Sequence, residues 1–268
     1  MSHNFAEISP DPEAAYDLIA GHYDGFTAHH DYDVWLDSLL PALNVHGLSG
    51  DQLLDAGCGT GKSSLPMLDR GWQVTACDNS AEMLERLRAK AGHRMRIEQT
   101  DLRTMPVLGD FDLILCLGDV LNYCAVTTPL STSLRGLAAN LAPDGLLLFD
   151  LNTVATYRTF FAEVQEVEVS GQRVTWRGLG DGTAEPGALA ESVMEIAPPG
   201  GEPLTRAVHR QRHLSEDEVR SSMAEAGLEC LDVFGQGFDA VLERPLEENR
   251  HTKTIYIARV QTHKENRR

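Results

Sequence analysis

The sequence predicts an α/β fold: an open, mostly parallel seven-stranded sheet with helices on both faces, and an antiparallel β-insertion before the last helix. Three observations carry this expectation. From Gln52 onward, apolar segments of strand length alternate with segments whose apolar residues recur at helical spacing. The first strand runs into a glycine-rich turn, LLDAGCGTGKSS at residues 53–64, of the kind that opens ligand sites in open α/β sheets. Residues 163–213 then change texture, to short alternating segments divided by turns such as GDGTAEPG and PPGGE, which reads as strands joined by hairpins.

Taken in order, DPEAAYDLIAGHYDGF and DYDVWLDSLLPAL space their apolar residues as helices do, the second through Val34, Leu36, Leu39 and Leu40. QLLD is the first strand, and a helix follows the glycine turn from Ser63 to about Arg70. Next come strand QVTACD, helix AEMLERLRAKA, strand MRIEQTD and the strongly apolar strand FDLILCL. A helix LSTSLRGLAANL, the turn APDG and strand LLLFDLN complete this stretch. The insertion holds VQEVEV, QRVTWRGL, ALAESVMEI and LTRAVHRQRHL. In SEDEVRSSMAEAGL, Ser215 is the N-cap, Glu218 completes a capping box, and Gly227 stands just past the helix end. ECLDVFG and TKTIYIARV then bring the sheet to seven strands. The chain thus divides into N-terminal helices (1–45), an α/β domain (46–162 with 214–268), and the β-insertion (163–213).

Composition narrows the class of partner. Lys and Arg number 23 against 40 Asp and Glu, a formal charge of −17, so the surrounding potential repels phosphate backbones and anionic lipid heads. Neither nucleic acid nor membrane is expected as a partner. The five cysteines, at 58, 77, 116, 124 and 230, show no CxxC spacing and sit mostly in apolar segments, as reduced thiols do. No basic-then-apolar leader and no span-length apolar run is present, which predicts a cytoplasmic protein. His22, His29 and His30, with Asp24, Asp31 and Asp33, lack the spacing of a metal site, and no metal is expected.

The glycine turn admits two chemistries. As Ala56-x-x-x-x-Gly61-Lys62-Ser63 it nearly fits a nucleotide-triphosphate loop, with Asp119 or Asp150 available for magnesium. That reading makes the chain a phosphate-loop nucleotide hydrolase, but leaves two carboxylates unused: Asp78, 21 residues after Gly57 at the next strand end, and Asp101 after the third. The G-x-G-x-x-G fingerprint of dinucleotide sites fails too, because Lys62 stands where its third glycine belongs. S-adenosylmethionine uses all of these residues. Glycines 57, 59 and 61 let the backbone approach the methionine part, Asp55 attracts its ammonium, Asp78 accepts the ribose hydroxyls, and Asp101 with Leu102 receives the adenine. On this reading Lys62→Ala barely affects cofactor affinity.

In these motifs the sequence resembles the class I S-adenosylmethionine-dependent methyltransferases, in the small-molecule branch that includes glycine N-methyltransferase and the aminosugar N-methyltransferases. YDLIAGHYDGF, LLDAGCGTG, VTACDNSAEML, QTDLRTM, FDLILCLGDVLNY, LAPDGLLLFDLN and HRQRHLSEDEV carry the likeness along most of the chain. The resemblance implies a Rossmann-like sheet, S-adenosylmethionine as cofactor and S-adenosylhomocysteine as its product. It implies a cofactor site lined by Asp55, Gly57, Gly59, Asp78, Asn79, Met83, Asp101, Leu102 and Leu117, with Tyr23 near the methionine end. The insertion is then a lid over a small-molecule substrate or a contact in a homodimer. Methyl transfer is an in-line displacement that rewards positioning and water exclusion, and a hydroxyl acceptor also needs a base. Candidates for substrate contact are Tyr16, Asp119, Asn122 and Tyr123 on the sheet side, and His209, Arg210 and Arg212 on the insertion. A catalytically inactive cofactor-binding partner protein is the remaining alternative.

Overall fold

The structure, a computed structural model, describes residues 11–201, 203 and 205–261. Two helices lead, α1 (Pro12–Phe26) and α2 (Tyr32–Val45). Each starts at an aspartate whose carboxylate accepts first-turn N–H groups: Asp11 from Glu13, Asp31 from Asp33 and Val34. Strands β1 (Gln52–Ala56), β2 (Gln73–Asp78), β3 (Arg96–Gln99), β4 (Phe111–Cys116) and β5 (Leu141–Asn152) then alternate with helices α3 (Ser64–Asp69), α4 (Ala81–Ala91), α5 (Val120–Thr127) and α6 (Leu130–Ala138). After α7 (Val154–Arg158) come β6 (Val164–Val169), β7 (Gln172–Gly178), β8 (Leu189–Ala197) and β9 (Thr205–Arg212). Helix α8 (Glu216–Glu225), capped by the Ser215 hydroxyl accepting from Glu218 N–H, returns the chain to β10 (Leu228–Gln236), β11 (Leu242–Glu243) and β12 (Lys253–Val260).

The main sheet has the order β11-β10-β12-β5-β4-β1-β2-β3. Strands β3, β2, β1, β4 and β5 are parallel, and β12, β10 and β11 join antiparallel. Strand order reverses between β1 and β4, so their carboxyl ends open a crevice at the switch point. Alternation fills both faces. Leu54, Ile114, Leu147 and Phe149 pack toward α6 and α8, while Leu53, Leu113, Leu148 and Ile255 face Leu36, Leu39, Met67 and Leu84 of α2, α3 and α4. No helix of the described residues is long and apolar enough to cross a membrane.

Three features differ from the sequence expectation. The sheet has eight strands rather than seven, because the two-residue β11 pairs Gly235↔Glu243 and Gln236↔Leu242 at the edge; two residues show no alternation to read. Helices α5 and α7 were not expected; they are eight and five residues long, and neither follows a turn as distinctive as the glycine turn that announces the six-residue α3. APDG is not a free turn but an irregular stretch inside β5, whose register against β4 jumps from Phe111↔Leu141 to Leu113↔Leu146. Gly145 is required there, since a Cβ would lie 2.5 Å from the Phe111 carbonyl oxygen.

Strands β6, β7, β8 and β9 form a second, antiparallel sheet in sequence order. Its inner face sets Val174, Trp176, Met194, Ile196 and Ala207 against Ile19 and Phe26 of α1, a third apolar cluster. Its outer face is charged and internally paired, with Glu195 accepting from Arg206 at 2.5 Å and Glu191 from Arg210. Helix α1 therefore lies between the second sheet and α4 of the main domain.

Candidate functional site

The glycine turn leaves β1 with Gly57 and Cys58 both donating to the Cys77 carbonyl, at 2.8 and 3.0 Å. Gly57 has φ +75°, and a Cβ there would stand 2.6 Å from Val120 Cγ2, so only glycine lets α5 close on the turn. At the end of β2, Asp78 is fixed by backbone donors: Gly59 N–H at 2.8 Å on one oxygen and Ser80 N–H at 2.9 Å on the other. Burial raises its carboxyl above the usual range, against the lowering effect of those bonds. Beyond it Ser80 caps α4, placing Asn79 and Met83 on the same wall.

These groups open into one cavity at the β1/β4 crevice. Gly57, Gly59, Asp78, Asn79 and Met83 line it, together with Asp101, Leu102, Leu117 and Tyr123. Tyr16 and Tyr23 of α1 and Tyr32 of α2 roof it. The roof is tied down at both ends. Asp17 accepts from Ser80 Oγ at 2.5 Å and Glu82 N–H at 3.2 Å, and Asp24 accepts from Thr60 Oγ1 at 2.5 Å and pairs with Lys90. Tyr16 Oη donates to Tyr123 Oη at 3.1 Å, and burial pushes both phenols well above their ordinary range, helped by the Asp119 charge at both and by the neighbouring tyrosines at Tyr16.

Six expected site residues lie outside the cavity lining. Asp55 does not reach the cavity: it is buried behind the turn, accepting from Ser63 Oγ at 2.6 Å and from Ser64 Oγ, and burial lifts its carboxyl to about 6. Asn122 is also buried and shut in, its carbonyl accepting from Asn152 N–H at 3.0 Å and its amide donating to the Arg212 carbonyl at 2.9 Å. His209 stands behind Tyr16 and Tyr123, with Nδ1 3.3 Å from Tyr123 Oη; burial lowers it to about 4, so it is neutral near pH 7. Arg210 and Arg212 are spent on Glu191 and Glu218. Asp119 pairs with Lys253 at 2.6 Å and accepts from Gln211, binding the insertion to the main sheet. Asp101 lines the cavity, but its carboxylate already holds Arg103 at 2.6–3.0 Å.

The triphosphate reading fails on the same geometry. The hydroxyls of Ser63 and Ser64, one of which magnesium would need, are committed to Asp55. Sequence reasoning also missed wall residues. Tyr32 enters because Asp31 starts α2 one residue earlier, a cap visible in the sequence; Arg103 enters because Asp101 caps a single helical turn, Leu102–Thr104, too short to foresee. Lys62 lines the cavity as well.

Comparison with known proteins shows what the chain is similar to. Residues 53–145 match the methyltransferase domain family. Among curated relatives, the chain is 31% identical over 141 residues to YqeM of Bacillus subtilis (strain 168), covering 52% of this chain and 56% of that one. It is 34% identical over 104 residues to a glycine/sarcosine N-methyltransferase of Halorhodospira halochloris, covering 37% and 39%. The chain thus spans little more than half the length of the first of these relatives and less of the second. Among solved structures, an S-adenosylmethionine-dependent methyltransferase from Clostridium acetobutylicum superposes with a TM-score of 0.74 at 22% identity, over 92% of this chain and 99% of that one.

Proposed function

We propose that this chain, whose residues 53–145 are a methyltransferase domain and whose fold is that of the S-adenosylmethionine-dependent enzymes, transfers a methyl group from S-adenosylmethionine to the nitrogen of a small molecule. The observation that carries the reading is Asp78. Backbone N–H groups hold its carboxylate at the edge of a cavity that also presents a close-approach glycine turn, the apolar Met83 and Leu102, and aromatic rings from the roof. A nucleoside diol, a purine and a sulfonium each find a complementary surface there.

When bound, S-adenosylmethionine supplies an activated methyl group. The chain supplies the rest: Asp78 for the diol, Leu102 and Met83 for the base, and Tyr16, Tyr23 and Tyr32 to exclude water and face the cation. Among the described wall residues, those that the cofactor leaves free offer no ready carboxylate or imidazole base. The buried tyrosines stay protonated, Asp101 is paired with Arg103, and His209 lies behind two phenols. A neutral amine needs no base to attack, whereas a hydroxyl does, which favours nitrogen; the N-methyltransferase activity in the name of the Halorhodospira relative points the same way. The second sheet serves as a fixed support behind Tyr16 and Tyr123 rather than a swinging lid, because Asn122, Gln211 and Asp119 fasten it to β5 and α5.

Incubating the full chain with methyl-labelled S-adenosylmethionine and a pool of small amines tests this. Label should appear on the nitrogen of a low-mass product. Label on oxygen overturns the nitrogen assignment, and cofactor binding without turnover on any acceptor favours an inactive partner protein.

A further inference from the structure

Lys62 is the residue the glycine turn would have needed for a phosphate, and the cofactor reading so far gives it no task. Its side chain is half-buried in the cavity wall, with Nζ donating to the Thr27 carbonyl and, at 3.1 Å, to Thr27 Oγ1, and standing 5.2 Å from the centre of the Tyr32 ring. An ammonium has three donors, so those two bonds leave one. Every contact shown is to a neutral group, and among the described residues no carboxylate forms an ion pair with it. Lys90, on the far side of Thr60, takes Asp24 instead. Only one other Lys or Arg lines the cavity among the described residues, Arg103, and Asp101 neutralises it at the end of β3.

A half-buried cation without a counter-ion is costly unless something supplies one. Burial accordingly lowers the Lys62 pKa, with the Asp24 and Asp31 charges partly opposing. Lys62 lines the cavity beside Tyr32, whose hydroxyl approaches Gly118 past the end of β4, whereas Asp101 and Leu102 follow β3, with β1 and β2 between those strands; with the base at Leu102, this is the end left for the amino-acid portion of the donor.

We propose that Lys62 is the cation that receives the carboxylate of the donor's methionine portion. The proposal rests on the S-adenosylmethionine reading and reverses the sequence-based expectation that Lys62 is dispensable for the cofactor. It also explains how one turn can resemble a phosphate loop: in both, the lysine meets an anion, here a carboxylate at the far end from the purine. Thr27 acts as the holder that keeps Nζ in the wall.

The test is calorimetric titration of the full chain with S-adenosylhomocysteine and with its decarboxylated analogue. Wild type should prefer the intact ligand by about tenfold or more, the worth of one charge-assisted contact. Lys62→Met should lose about tenfold or more on S-adenosylhomocysteine and change little on the analogue, and Lys62→Arg should recover part of the loss. A merely structural lysine would weaken both ligands together, and that outcome, or an unchanged affinity for S-adenosylhomocysteine in Lys62→Met, overturns the proposal. Should Lys62→Met not fold, equal wild-type affinity for the two ligands overturns it alone. Wild type binding neither ligand sinks the cofactor reading before Lys62 is in question.

Discussion

Two buried titratable side chains next to the site pull stability in opposite directions with pH. Asp55 has a folded pKa raised from 3.8 to about 6 by burial, against its serine bonds. Its contribution is full below 3.8 and is lost as pH rises through about 6, so the ionised form costs about 3 kcal/mol at neutral pH. Asp55→Asn should therefore raise the melting temperature at pH 7 by several degrees and give little gain at pH 4, with S-adenosylhomocysteine affinity nearly unchanged because Asp55 does not line the cavity. A lost affinity would return Asp55 to the site. His209 has its folded pKa lowered from 6.5 to about 4 by burial. Stability from its neutral form is present above 6.5 and is lost as pH falls toward 4. In His209→Gln, melts from pH 7 down to 4 should fall less steeply than in wild type.

At the scale of elements, the second sheet owes its position to a few buried polar bonds rather than to a large apolar seam with the main sheet. Asn122 of α5 satisfies both Asn152 N–H on β5 and the Arg212 carbonyl on β9. Gln211 accepts from Asn152 Nδ2 at 2.8 Å and donates to Asp119. Asn122→Ala strands two buried backbone groups and should cost about 2–4 kcal/mol in denaturant unfolding; a loss below about 1 kcal/mol would mean the sheet is held by something else. None of these residues announced this role in the sequence. Asn122 and His209 read as substrate contacts because polar residues near a strand end usually face a ligand, and only the docking of β9 on α5 shows them closed off. The strands themselves were legible, since alternation, turn residues and the Ser215 cap are local signals. β11, α5 and α7 were not: two residues show no alternation, and helices of eight and five residues make little more than two turns and one.

Across the whole molecule, what the sequence displayed was the succession of strand ends, each with its carboxylate or glycine. Gly57, Gly59, Asp78, Asp101 and Leu117 come together because parallel strands deliver their carboxyl ends to one edge. What it hid was the third dimension of that edge: the roof of three tyrosines, two of them on the helix α1 that Asp17 and Asp24 fix, and the burial of Asp55 behind the turn. The proposed function makes this cavity a nucleoside site with Asp78 as its diol acceptor, and at the turn the Ser63 and Ser64 hydroxyls are committed to Asp55. Asp78→Ala should accordingly weaken S-adenosylhomocysteine by about tenfold or more, the loss of a charged acceptor for ribose hydroxyls. The most direct measurement is titration of the intact chain with S-adenosylhomocysteine and, separately, with magnesium ATP. Saturable heat with the first and none with the second is the predicted result, and saturable heat with magnesium ATP alone would contradict it.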